Sequence, residues 1–134
     1  MKPALKPILI FVLLSASLFS QTKADTMDDI ALLLKAGNVK GLSVHLASSV
    51  ELGILEESDE YTKAQAEARI KSFFAVYPPL AAKIIHRINS HSNYRYGVVQ
   101  LTTSKGIFRV SISLKNNSGK FLISEMKVEA KENE

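Results

Sequence analysis

Few side chains in this sequence could do chemistry. Its 134 residues include three histidines, His45, His86 and His91, and no cysteine. The histidines lack the spacing of metal ligands and have no thiolate beside them, so neither a metal nor another cofactor is expected. Glycine-rich phosphate loops and nucleophile motifs are missing as well. The acidic run Glu56, Glu57, Ser58, Asp59, Glu60 has neither the alternating ligands nor the central glycine of a calcium loop, and reads as a solvated turn. Acid–base work is left to His86, provided that the fold turns this ring inward.

Charge narrows the partners. The formal net charge is +4, from 17 basic and 13 acidic residues. Lys2, Lys6 and Lys23 belong to a leader, and without them 14 basic residues face 13 acidic ones. A nearly neutral domain lacks the field that sequence-independent phosphate binding requires, so no nucleic-acid partner is expected. The leader has a positive start at Lys2 and Lys6, an apolar run from Ile8 to Phe19 broken by serines, and small residues at Ser20 and Ala24. That is the pattern of a secretory signal over residues 1–24, cleaved after Ala24 or Ser20. It is short for a permanent span, which wants about 20 apolar residues, and no second apolar run follows, so no stable membrane insertion is expected after its removal. With no cysteine there is no lipid-anchoring thiol and no disulfide. The expected destination is periplasmic or secreted, not a lipoprotein, and residues 25–134 must be held by a core alone.

The elements that would position His86 follow from patterning. Asp25 or Thr26 can cap a helix over residues 26–36, with Met27, Ile30, Leu33 and Leu34 on one side and Gly37 at its end. Asn38 caps a second, short helix to about Leu46. Val50, Leu52 and Ile54 alternate as a strand. Thr62 and Gln65 have capping-box spacing, and the helix they open buries Ala66, Ile70, Phe73, Phe74 and Tyr77 before Pro78 and Pro79 stop it. Period-two alternation then gives four strands, near 82–89, 94–103, 107–115 and 121–129, as an antiparallel meander. The fold class is α+β, with three helices on one face of the sheet.

Turn parity assigns faces. Phe108, Val110, Ile112 and Leu114 form the buried side of their strand. An even turn at Ser104 and Lys105 puts Gly97, Val99 and Leu101 on that side, and Leu122, Met126 and Val128 continue it. An even loop from Ser90 to Asn93 adds Ile84, His86 and Ile88, with His86 opposite Gly97. A glycine facing a histidine leaves space, so the candidate pocket is His86, Gly97, Tyr61 and Arg95. His86 is there either a core histidine held by a backbone acceptor or the titratable group of a site. The other face carries Tyr96, Val98, Ile107, Phe121 and Ile123 with Arg109. That is more apolar than an open sheet face requires, and suggests either scattered surface groups or a homodimer or partner interface.

Several segments carry a resemblance: Gly37-Asn38 with Leu42, Val50-Glu51-Leu52, Tyr61 through Ala66, Phe73-Phe74, His86, Tyr96-Gly97, Leu101-Thr102-Thr103 and Gly106 through Val110. With the helix–strand order, they resemble the nuclear transport factor 2-like superfamily, and within it a family of small exported bacterial proteins of unknown function. The resemblance implies a cystatin-like cone, a curved antiparallel sheet packed on three helices that often encloses a pocket. It transfers no catalytic residue. Relatives in the superfamily that work as isomerases and dehydratases use pocket carboxylates or histidine, whereas the inward face inferred here offers His86 and Arg95 without a carboxylate. The expectation is therefore a non-catalytic domain that binds a small apolar ligand or a protein. The alternative is a small isomerase or hydrolase with His86 as its base.

Overall fold

The computed structural model describes residues 25–132; the leader and its cleavage point lie outside the described residues. The chain runs α1 (Thr26–Ala36), α2 (Val39–Val44), β1 (Leu46–Ile54), β2 (Glu57–Thr62), α3 (Lys63–Val76), β3 (Pro79–Ile88), β4 (Tyr94–Thr103), β5 (Gly106–Asn117) and β6 (Lys120–Ala130). Helix ends form where their chemistry is local. Asp25 N–H donates to the Asp28 carboxylate at 3.2 Å. Gly37 ends α1 at φ 63°, a left-handed position that suits glycine. Thr62 and Gln65 exchange hydrogen bonds at 3.0 and 3.2 Å, the reciprocal box that their spacing implies.

The strands form one curved, unclosed sheet in the order β2-β1-β6-β5-β4-β3. β1 runs parallel to β6 and every other pair is antiparallel. The core fills the concave side. Met27, Ile30 and Leu34 of α1 and Ile70, Phe73 and Phe74 of α3 meet Val99, Leu101, Phe108, Val110, Ile112, Met126 and Val128 of the sheet. Phe73 stacks on Tyr77 at 4.9 Å and meets the edge of Phe108 at 5.1 Å.

β2 corrects the sequence reading. The run from Glu56 to Glu60 is not a turn alone, because only Leu55 and Glu56 turn, and Glu57–Thr62 pairs with β1. An all-polar edge strand has no apolar alternation to announce it; partner hydrogen bonds define it.

Two one-residue bulges decide which side chains enter the cone. The two-residue turn at Ser104 and Lys105 sets Leu101 against Phe108 and Val99 against Val110, as even parity requires. Ile84 pairs with Val99, also as inferred, but the register then slips at Ile85, so that His86 pairs with Val98 and Arg87 with Gly97. A second slip at Ser124 carries β6 from Ser113↔Glu125 to Leu114↔Ile123. Each slip turns the residues beyond it to the opposite face, because side chains alternate with period two.

Candidate functional site

The four candidate pocket residues do not share a pocket. His86 is exposed on the convex face rather than inside, because the Ile85 bulge reverses its parity. Its ring lies edge-on to Tyr96 at 6.3 Å. Tyr61 belongs to β2 and His86 to β3, the two opposite edges of the sheet. Tyr61 is half-buried beneath the Arg69 guanidinium, 5.3 Å from the ring centre. Gly97 is buried as inferred, but α1 fills the space above it: a Cβ there would stand 2.7 Å from Met27 Sδ and Cε. Arg95 keeps its concave parity, where it lies 4.6 Å over the Phe121 ring and donates to the carbonyls of His91 and Tyr94.

Among the described residues, the space beneath α3 is too small for a ligand of ordinary size. The void beneath α3, lined by Leu34, Ile70, Phe73, Phe74, Leu101 and Met126 among others, amounts to about 10 Å³. That is at or below the space one water molecule needs, and far from the 300 Å³ or more of a small-molecule site. Phe73, Phe74 and Met126 are among the side chains that fill this volume.

On the convex face the expected interface residues divide. Tyr96, Val98, Ile107 and Arg109 are there: Val98 opposes Ser111, Thr102 opposes Ile107 and Gln100 opposes Arg109. Phe121 and Ile123 are not, because the Ser124 bulge turns both inward. Ile123 is fully buried against Leu46 and Leu114, and Leu122, expected inside, faces out. In their place the Ile85 bulge brings out His86 and Ile88, the latter 39% exposed. An apolar cluster of Ile88, Tyr96 and Val98 with His86 therefore covers β3 and β4, and Ile107 stands apart from it beyond the Gln100–Arg109 pair.

The other half of this face carries a row of carboxylates among lysines. Glu60 pairs with Glu51 and Glu51 with Glu125, three carboxylates in one row across β2, β1 and β6. Like charges directly opposed cost stability, and two lysines offset part of that cost: Lys115 shares a hollow with Glu51 and Glu60, and Lys127 stands next to Glu125 on the same side of β6. Glu60 accepts a hydrogen bond from Ser49 Oγ. The apolar half carries Lys83 opposite Gln100 and Arg109 on the far side of that glutamine, where Arg109 is followed by Glu129 on β6. Sequence reading missed the row because β2 was invisible to periodicity.

Two further polar features lie on the concave side. Arg87, turned inward by the same bulge, bridges β3 to α1 through Asp28 at 2.6 and 3.2 Å and Asp25 at 3.1 Å. The guanidinium holds the Asp28 carboxyl below its ordinary range, chiefly by hydrogen bonding, and Asp28 in turn raises Arg87. His45, at the end of α2, is pushed down by burial, with Asp29 opposing and Lys120 reinforcing that shift; its Nδ1 is buried without a partner. Among the described residues no three His, Cys, Asp or Glu side chains stand close enough to share a metal ion. No helix among them is long and apolar enough to cross a membrane.

Comparison with known proteins agrees with this architecture. Among curated sequences nothing matches the chain. A crystal structure of a DUF4783 family protein from Bacteroides uniformis aligns with a TM-score of 0.77 and 21% identity, covering 81% of this chain and 100% of that one. A structure named Rd1NTF2_05, with further substitutions in its name, aligns at 0.60 with 12% identity over 77% of this chain and 92% of its own. A domain of unknown function with a cystatin-like fold from Nostoc punctiforme aligns at 0.63 with 10% identity, over 80% and 74%. At these identities the likeness concerns the fold, which is of the nuclear transport factor 2-like and cystatin-like kind. The sequence pattern of DUF4783, a domain of unknown function, matches residues 27–129, and the chain belongs to that family.

Proposed function

We propose that this protein is an exported, non-catalytic interaction domain that pairs with a second copy of itself through the convex sheet face. The observation that carries the reading is the apolar cluster of Ile88, Tyr96 and Val98 on one half of that face, beside Lys83, His86 and Arg109, with the row Glu51, Glu60 and Glu125 on the other half. Two such faces related by a two-fold axis can lay the carboxylate row of each over the Lys83 and Arg109 side of the other. The apolar cluster supplies the desolvated contact and the charges fix its register. Export belongs to the reading on the strength of the leader in residues 1–24.

The other readings have less support. A small apolar ligand would need space that Phe73, Phe74 and Met126 already occupy. A histidine enzyme would need His86 in a water-excluding site beside a second acid or base, and this ring stands on the open face. Light scattering after gel filtration tests the proposal. The expected result is a dimer that weakens with salt and becomes monomeric in Val98→Glu, an outward position where glutamate does not enter the core. A wild-type monomer at every concentration, or a Val98→Glu variant that dimerises unchanged, would overturn it.

A further inference from the structure

A second apolar surface lies away from the convex face, at the tip of the β1–β2 hairpin. Ile54, Leu55, Phe73, Val76 and Tyr77 wall a groove of about 410 Å³ between this turn and the last residues of α3. Two of its walls are open aliphatic side chains, Leu55 at 42% and Val76 at 49% exposure. Leu55 has φ 57° in the two-residue turn between the paired residues Ile54 and Glu57, a left-handed position that glycine or asparagine would take with less strain.

The surroundings of the groove specify what could fill it. Its rim carries Glu56 and Glu57, and beyond it the acidic residues continue along β2. Asp59 shares the face of Glu57, and Glu60 lies on the other. Arg69 answers Glu57 at 3.3 Å. β2 is an edge strand, paired on one side to β1, so its other side offers backbone groups for a further strand. A second copy is a poor occupant, because two β2 edges set side by side would oppose carboxylates on both faces. A strand bearing lysine or arginine meets opposite charges there instead.

The geometry points to an extended basic peptide segment as the partner of this groove: one large aliphatic or aromatic side chain seats against Leu55, Val76 and Tyr77, and flanking cationic residues pair with Glu56 and Asp59. The ligand class is a cationic, apolar-anchored segment of another protein, added along β2.

An NMR titration of the ¹⁵N-labelled protein tests this with two short synthetic peptides, one alternating lysine with valine and leucine and the other with glutamate replacing lysine. The lysine peptide is expected to shift amides from Leu55 to Thr62 and at Val76, with affinity falling as salt rises, and the glutamate peptide to leave them unmoved. Leu55→Gly should weaken binding by about tenfold while raising the melting temperature, since it removes the anchor wall and the strained conformation together. A purely structural role for Leu55 would not separate these two readouts. The Glu56→Gln, Asp59→Asn double variant should lose most of the salt dependence, and Val98→Glu should bind the peptide as wild type does, which keeps this surface distinct from the convex face. The proposal is overturned if both peptides act alike, if the shifts fall elsewhere, or if Leu55→Gly binds unchanged. It is equally overturned if wild type binds neither peptide and the double variant merely begins to self-associate, because the carboxylates then serve only to keep edges apart.

Discussion

Replacing Gly97 with alanine tests the arrangement that distinguishes this cone from one with a histidine-lined pocket. The new Cβ would lie 2.7 Å from Met27 Sδ and Cε and 3.0 Å from Cγ. Met27 is 1% exposed, so it cannot swing into water and must be recompressed within the core. Overpacking of this kind costs about 1–3 kcal/mol. Loss of glycine's freedom in the unfolded chain returns about 0.4–1 kcal/mol, leaving a net destabilisation of about 1–2 kcal/mol. Met27→Ala alone leaves a cavity worth about 2–5 kcal/mol. In the double variant the clash is gone and the added methyl occupies part of the vacated space, so the two losses should fall short of their sum by about 1–2 kcal/mol. Urea unfolding of the four proteins measures that coupling, provided that the transition slope stays constant. A parallel cycle with His86→Ala should be additive, because His86 pairs with Val98 on the opposite face. Additivity within about 0.5 kcal/mol for Met27 and Gly97 would refute the packing of α1 over Gly97, and coupling of His86 with Gly97 would refute the Ile85 register slip and every face assignment beyond it on β3.

Two other outcomes follow from the core and from the Arg87 bridge. Phe73→Ala should cost about 3–5 kcal/mol in denaturant unfolding, since it deletes a buried ring packed on Tyr77 and Phe108; a loss below about 1 kcal/mol would mean that α3 does not seal the cone. Arg87 holds the folded Asp28 carboxyl below its unfolded value of 3.8, so the unfolded state binds more protons in that window, and the stabilisation is complete above that value and disappears as pH falls through the folded one. Acid titration of stability should show this loss in wild type and not in Asp28→Asn, modest in size because the side chain is 42% exposed; identical curves would remove the bridge from the account.

The amino-acid sequence alone determined what depends on neighbours a few residues away. Thr62 and Gln65 cap α3 because their side chains reach each other's backbone within one helical turn. Gly37 ends α1, and Ser104 with Lys105 close a hairpin whose even length sets β4 against β5. The apolar spacing of Met27, Ile30, Ile70 and Phe73 already marked the buried sides of two helices. From these features the fold class was legible, as were the convex positions of Tyr96, Val98, Ile107 and Arg109.

Tertiary structure decided the rest, and for one physical reason: side-chain direction along a strand has period two, so a single inserted residue reverses everything beyond it. Ile85 sends His86 out and draws Arg87 in to Asp28; Ser124 turns Phe121 and Ile123 to the concave side, half-buried and fully buried respectively, and turns the half-buried Leu122 the other way. Nothing in the local sequence marks either slip, because each is fixed by how a strand meets its neighbours and by what α1 places over Gly97. β2 was equally hidden, since an acidic strand owes its existence to hydrogen bonds with β1 rather than to any alternation of its own. The candidate pocket vanished and the row Glu60, Glu51, Glu125 appeared for that same reason: both depend on register between strands distant in the chain.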